Sequence, residues 1–131
     1  TALNAIQGII VKSEAMGRVT GIYFESGKYA EAGELLIQLD NDDLKADLHA
    51  ALAQARLSEL EYKRLKQLAK QNAASKSAFD ATQAKWEADQ ANVAKIKALL
   101  AKTLIQTPFA GKLGLKQVEI GDYLTIGDPI V

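Results

Sequence analysis

Glycine and proline are confined to the two ends of this chain. All nine Gly (8, 17, 21, 27, 33, 111, 114, 121 and 127) and both Pro (108 and 129) lie outside residues 34–107. Between Asp42 and Thr103 neither occurs, and 16 of the 62 residues there are Ala. Gly and Pro punctuate strands and turns, whereas Ala is the best helix former. The chain therefore reads as α+β: a β segment, a long helical insert and a second β segment. The expected boundaries are 1–40 for the first β part with its leading strand, 41–103 for the insert and 104–131 for the second β part.

The insert reads as a long antiparallel helical hairpin with coiled-coil patterning. Asp40-Asn41-Asp42-Asp43 opens the first helix: Asn41 or Asp42 can cap it, and the acids suit the positive end of the helix. Leu44, Leu48, Ala51, Ala55, Ser58, Tyr62, Leu65 and Ala69 then alternate steps of four and three, which is a heptad seam with Ser58 as its polar member. A break follows at Gln71–Ser77, where Ser75 or Ser77 can cap a second helix, and Asp80 stands three residues after Ser77 as in a capping box. The second seam is Phe79, Thr82, Trp86, Asp89, Val93, Ile96, Leu100 and Thr103, interrupted at Asp89. The spacing predicts helices over about 42–71 and 76–103, each about 45 Å long at about 1.5 Å per residue. The short turn implies antiparallel packing. An Ala-rich pair offers only a thin seam, so the hairpin is expected to project into solvent or to pack against neighbouring copies.

The flanks carry one motif twice. Shifted by 94 residues, 17–36 aligns without gaps on 111–130: Gly17 with Gly111, Glu25 with Glu119, Gly27 with Gly121, Tyr29 with Tyr123 and Gly33 with Gly127. Three of these five identities are Gly, which mark turns needing positive φ or close backbone approach. Two such halves can pair about a pseudo-twofold axis into a small β-sandwich, with the hairpin emerging between them.

Composition removes several function classes. At 131 residues the chain is one domain, or one domain with a long appendage. Lys+Arg and Asp+Glu are 16 each, so the net charge is zero and a dedicated nucleic-acid binder is disfavoured. With no Cys, disulfides and thiolate metal sites are excluded, and one His leaves little for a zinc site or a catalytic triad. No apolar run approaches the ~18 residues of a membrane span, and no signal peptide is visible. No P-loop, Rossmann or nucleophile-elbow pattern occurs. Asp40, Asp42, Asp43 and Asp47 lack the Gly-containing loop of an EF-hand and read as helix-start residues. His49 reads as a surface residue and Trp86 as a packing group. No catalytic, cofactor-binding or metal-binding residues are expected.

The neutral total conceals two surfaces. Residues 42–103 carry a net charge of +3 and the flanks −3. The basic excess lies near the turn, at Lys63, Arg64, Lys66, Lys70 and Lys76, with no acid between positions 63 and 76. Such a run is commonly a solvated end, and it also suits an acidic partner. No aromatic residue interleaves after Tyr62, as single-stranded nucleic-acid binding would favour.

Glu25-Ser26-Gly27-Lys28-Tyr29-Ala30-Glu31-Ala32-Gly33-Glu34-Leu35 resembles the first half of a lipoyl or biotinyl domain. Thr107-Pro108-Phe109-Ala110-Gly111-Lys112-Leu113, followed by Glu119-Ile120-Gly121-Asp122, resembles the second half as found in periplasmic adaptors, the membrane fusion proteins of tripartite efflux pumps. In that family an α-hairpin also separates the lipoyl halves. The resemblance runs from about Val11 to Val131 and implies a split lipoyl-like β-sandwich, or barrel-sandwich hybrid. One departure is Ala30, where the family carries a larger aliphatic residue; Leu124 fills the matching place.

The resemblance also implies a site. Adaptors that dock on TolC-like outer-membrane channels share an Arg, a Leu four residues on and a Ser seven further, and Arg64, Leu68 and Ser75 stand at that spacing. Arg64 would fork onto a carboxylate or carbonyl, Leu68 would anchor, and Ser75 would donate or accept at a tight tip; Lys70 and Lys76 are secondary candidates. From the residues alone, Arg64 is a solvated charge, Leu68 a seam residue and Ser75 a cap. The family further implies an inner-membrane transporter of the resistance-nodulation-division (RND) type as second partner, a ring of six adaptors, and a periplasmic location tied to the inner membrane through parts outside this chain. The β-barrel and membrane-proximal domains of such adaptors are not expected within 131 residues, and the chain is expected to be a fragment that starts within an early strand over Asn4–Val11.

Two alternatives stand beside this reading. One is an adaptor for type I secretion or another transporter class. The other is a lipoyl or biotinyl carrier, whose modifiable Lys sits in a tight turn between the halves. The helical insert replaces that turn here, so neither lipoate nor biotin is expected.

Overall fold

The computed structural model describes residues 10–131; the strand expected over Asn4–Val11 therefore lies largely outside the described residues. In chain order the elements are β1 (Gly17–Ile22), β2 (Tyr29–Ala30), β3 (Leu35–Leu39), α1 (Asp42–Lys70), α2 (Lys76–Lys102), β4 (Leu104–Gln106), β5 (Gly111–Lys112) and β6 (Tyr123–Leu124). They form two compact units, one from the residues up to Asn41 together with Leu99–Val131, the other Asp42–Ala98.

The β unit holds a four-stranded antiparallel sheet in the order β4-β3-β1-β6 and a two-stranded sheet β2-β5. The 94-residue repeat explains this arrangement, because each half lends a strand to the other. Gly17 pairs with Leu124 and Arg18 with Tyr123 across β1 and β6. Their repeat mates pair in the same way across β5 and β2, Gly111 with Ala30 and Lys112 with Tyr29. Backbone bonds follow the same exchange. Val19 N–H donates to the Asp122 carbonyl at 2.8 Å, and Leu113 N–H to that of Lys28 at 2.9 Å. Gly121 N–H reaches the Val19 carbonyl at 2.9 Å, and Gly27 N–H that of Leu113 at 3.0 Å.

The equivalence extends beyond 17–36. Gly127 N–H donates to the Ser13 carbonyl and Gly33 N–H to that of Thr107, both at 2.7 Å. Ser13 Oγ donates to the Ala15 carbonyl at 2.5 Å, and its mate Thr107 Oγ1 to the Phe109 carbonyl at 2.7 Å. The structural repeat thus runs from Val11 to Ile37 and from Ile105 to Val131. Its first residues share no identities, so sequence comparison cannot find them; what is preserved is a short hydroxyl side chain that ties down the same bend.

The core of the β unit is built from repeat mates. Val11 and Ile105, Val19 and Leu113, Ala30 and Leu124, Leu36 and Ile130, and Ile37 and Val131 are all buried in one cluster, joined by Leu39 and Val118. Fully burying one aliphatic side chain of this kind contributes about 1.5–3 kcal/mol. Ala30 is completely buried despite its size, at the position where Leu124 fills the other half. Gly27, Gly33, Gly121 and Gly127 have φ between 79° and 96°, a region that side-chain-bearing residues rarely adopt.

In the helical unit, α1 and α2 run 29 and 27 residues. Every seam position named from the sequence on α1, and on α2 as far as Leu100, is buried or half-buried. Antiparallel pairing is fixed by cross-helix contacts. The Tyr62 ring stacks 4.9 Å from that of Trp86 and 5.4 Å from that of Phe79. Gln54 Nε2 donates to Asp89 Oδ2 at 3.3 Å. Helix α1 begins at Asp42, which places Asn41 at the N-cap position. Asn41 itself is buried and donates through Nδ2 to Thr103 Oγ1 at 3.1 Å.

A candidate docking site at the helix turn

The turn between α1 and α2 is closed by backbone and side-chain bonds that the local sequence supplies. Helix α1 ends at Lys70, one residue short of the periodicity, because the chain tightens there. Gln71 N–H bonds to the Leu68 carbonyl at 3.1 Å, Asn72 N–H to that of Ala69 at 3.1 Å, and Ala73 N–H to that of Leu68 at 2.8 Å. The last two bonds are the six-to-one and five-to-two pair of a Schellman motif. Its left-handed position is Asn72, with φ 56°. Asn tolerates that conformation better than other non-Gly residues.

Helix α2 starts at Lys76, and Ser75 caps it. Its Oγ accepts the Ala78 N–H at 3.0 Å, and its carbonyl accepts the Phe79 N–H at 3.1 Å. Of the two serines that local sequence allows, the structure selects Ser75; Ser77 is an exposed helical residue. Behind the turn, Phe79 and Trp86 stack on Tyr62, so both helices are held together by rings as they approach it.

The five sequence candidates occupy different parts of this turn. Arg64 is exposed on α1 and Leu68 is half-buried one turn later, its carbonyl closing the Schellman motif. Ser75 sits across the turn, exposed and committed to the cap. Among the described residues no hydrogen bond or ion pair joins the three side chains, so the site is a set of neighbouring surface groups. Lys70 and Lys76 are exposed at the last residue of α1 and the first of α2.

The basic run divides electrostatically. Lys63 Nζ bonds to Glu59 Oε1 at 2.8 Å, and Lys66 Nζ lies 6.0 Å from the Tyr62 ring centroid. Arg64, Lys70 and Lys76 make no ion pair among the described residues. Lys66 makes no ion pair among them either, and its ring contact leaves its charge in place, so these four cations carry the positive character of the turn. Lys70 at the end of α1 also suits the negative pole of that helix.

Sequence reasoning missed two parts of the unit. Asn72 is one; its signal is an Asn just past the last periodic residue of a helix. The other is the pairing of the two seam interruptions. Asp89 is 8% exposed and Ser58 2%. The Asp89 carboxylate accepts from Lys85 Nζ at 2.9 Å and from Gln54 Nε2 at 3.3 Å, with the Ser58 hydroxyl beside it. The Lys85 bond first, and then that of Ser58, hold Asp89 below the usual carboxylate range despite its desolvation.

Among the described residues no helix is long and apolar enough to cross a membrane. Comparison with known proteins gives a consistent family. The model of the RND membrane fusion protein barrel-sandwich hybrid domain matches residues 7–130. The chain is 33% identical over 96% of its length to multidrug resistance protein MdtA of Salmonella heidelberg, covering 34% of that protein. It is 31% identical to an uncharacterised protein of Haemophilus influenzae, with 95% of this chain and 33% of that protein covered. The chain thus spans about a third of the length of these relatives. Among solved structures, a MacA-MexA chimeric protein containing the Pseudomonas aeruginosa MexA α-hairpin domain superposes with a TM-score of 0.90 at 24% identity, over 96% of this chain and 47% of that one. A putative efflux transporter of Bacteroides eggerthii gives 0.88 at 19% identity, over 97% and 39%. At these identities the structures speak for the fold, and they agree with the exchanged half-repeats and the helical insert seen here. The chain belongs to the membrane fusion proteins of the RND type and carries their barrel-sandwich hybrid domain.

Proposed function

We propose that this chain is the lipoyl-like and helical-arm part of a periplasmic adaptor in a tripartite multidrug-efflux system. In this reading residues 1–40 and 104–131 are the two lipoyl halves, and 41–103 form a coiled-coil arm. The arm's turn docks on a TolC-like outer-membrane channel, and parts of the protein outside this chain engage an RND transporter of the inner membrane. The role is assembly, with no catalytic step.

One observation carries the docking reading. The turn is closed by the Schellman motif and the Ser75 cap, yet it leaves Arg64, Lys70 and Lys76 exposed without ion pairs beside half-buried Leu68. A rigid, positively charged end suits capture of an acidic or carbonyl-rich surface. Arg64 offers the bidentate fork, and Lys70 and Lys76 add point charges on either side of the turn.

Self-association into a ring of six belongs to the same reading. A second heptad stripe on α1 carries Ala46, Ala50, Ala53, Leu57 and Leu60, all exposed. On α2 the matching stripe is small, with Ala81, Ala84, Ala88 and Ala91 exposed. Large residues on one helix and small ones on the other suit a head-to-tail contact between copies, the kind that closes rings.

The test is site-specific cross-linking in cells. Cys placed at Ala74 or Ser75 of the full-length protein is expected to cross-link to a TolC-like channel, and Cys at mid-helix Lys85 is not. Cross-links at Lys85 with none at the turn would defeat docking by the turn. Arg64→Asp is expected to abolish efflux complementation while leaving the fold intact.

A further inference from the structure

The helical unit contains a polar cluster that the docking reading does not use; its Ser58 and Asp89 are buried, while its Gln54 and Lys85 are exposed. Gln54 and Ser58 of α1 face Lys85 and Asp89 of α2 around one carboxylate. Ser58 and Asp89 are the buried polar residues of the two helices. Ser58 Oγ donates to the Ala55 carbonyl of its own helix at 3.1 Å, so the hydroxyl keeps a partner in any pairing. Every buried side-chain N and O among the described residues has a hydrogen-bond partner, so the cluster is fully satisfied as it stands.

Such a cluster contributes little net stability, because desolvating a charge offsets much of what its bonds return. Its effect is on alternatives. Each helix of this chain has two apolar stripes. On α1 the seam near mid-helix is Ala51, Ala55 and Ser58, whereas the other stripe holds Ala53, Leu57 and Leu60, which is the more apolar of the two. Apolar content alone therefore does not select the seam. A short turn dictates antiparallel direction but does not select a face.

The cluster discriminates among the pairings. If α1 turned its other stripe to α2, Asp89 would lie against Ala53, Leu57 and Leu60 with neither Ser58 nor Gln54 beside it. If the pairing slid by one heptad, about 10 Å along the axis, Asp89 would face Leu65 in one direction and Ala51 in the other. The turn would move with it, away from Asn72 and Ser75. Each competitor leaves Asp89 its bond from Lys85 on the same helix but removes its partners from α1, and a buried carboxylate short of partners is the costly state.

We propose that Gln54 and Ser58 of α1 with Asp89 of α2 form the specificity element of the helix pair, selecting which face of each helix pairs and in which register, with Lys85 as the partner of Asp89 within α2. They act as positioning residues: they place the turn at Asn72–Ser75 and leave the Leu57–Leu60 stripe exposed. The proposal does not depend on what the turn binds.

The chain has no Cys, so engineered pairs report the pairing in all 131 residues. Ala55→Cys with Val93→Cys reports the observed seam. Ala53→Cys with Val93→Cys reports the rotated one. Under a thiol–disulfide buffer, the seam pair is expected to be favoured at least about fivefold, the effect of one buried polar group short of partners at the low end of its cost. In a Ser58→Leu/Asp89→Leu background the preference is expected to fall to within about threefold, with helical content and melting temperature retained or raised. In an Asp89→Asn background, which keeps an acceptor for Gln54, at least about fivefold preference should return. An undiminished preference in the Leu/Leu background would overturn the proposal. Should that variant lose its helical signal, Asp89→Ala decides in its place: a collapsed preference supports the proposal, and an unchanged one overturns it.

Discussion

The Ser75 cap separates two roles that the same residue can play, and its loss has a calculable cost. Ser75→Ala removes the single side-chain acceptor for the Ala78 N–H, now bonded at 3.0 Å, while the Phe79 N–H keeps the residue-75 carbonyl at 3.1 Å. The exposed amide can turn to water, so the loss falls in the lower half of the capping range, about 0.5–1 kcal/mol. For a unit of this size that is a fall of roughly 2–8 °C in melting temperature. Ser75→Asp restores the acceptor and adds a negative charge at the positive pole of α2, so it should melt at or slightly above the parent. Circular dichroism at 222 nm follows the helices, and amide exchange of Ala78 reports the bond itself. Ala78 should lose protection in Ser75→Ala and keep it in Ser75→Asp. Equal melting and equal Ala78 protection in all three proteins would refute the cap. The same pair of variants then serves the docking proposal. Ser75→Asp keeps the turn but changes charge and size at its apex, so cross-linking to the channel should fall in a protein whose melt is unchanged.

Three further outcomes follow from the geometry. Gly33→Ala and Gly127→Ala each force a side chain into φ 84° and 95° with nothing within 4 Å of the new methyl, so each should cost about 1–2 kcal/mol in denaturant melts of the β unit. Gly114→Ala, also in open space and without positive φ, should be neutral or slightly stabilising, and equal losses at all three sites would contradict a backbone origin. Leu36→Ala and its repeat mate Ile130→Ala, both fully buried, should each lose about 2–5 kcal/mol; a loss below about 1 kcal/mol at either would show that the core there is not packed as described. Because the folded-state pKa of Asp89 is depressed, chiefly by its bond from Lys85, the stabilising contribution is complete above the unfolded Asp value and disappears as pH falls through the lower folded one. The difference in melting temperature between the parent and Asp89→Asn should therefore be constant near neutrality and shrink on acidification below about pH 4; a difference that grows on acidification would contradict the assignment.

How much of this was legible in the chain depends on how far each interaction reaches. The helix seams were legible because burial on a helix follows a local period, and the positions from Leu44 to Leu100 fall where the four-three spacing put them. The half-repeat was legible wherever Gly was needed, since a positive φ restricts the residue directly. It was illegible from Val11 to Met16 and from Ile105 to Ala110, where several residue types serve and only hydroxyl-bearing Ser13 and Thr107 recur. Of the candidate site, the residue types and spacing of Arg64, Leu68 and Ser75 were legible. That Leu68 closes the helix end and Ser75 rather than Ser77 caps the next one was not.

By itself the sequence determined the division into β ends and a helical middle, the heptad spacing along each helix, and the duplicated turns. These depend on backbone propensity and on periodicity, which act over a few residues. Tertiary structure alone decided that each half-repeat gives a strand to the other and that the interruptions at Ser58 and Asp89 meet across the helix pair, with Gln54 bonded to Asp89. Those outcomes depend on groups tens of residues apart meeting at hydrogen-bond distance, and no local pattern records which groups will meet.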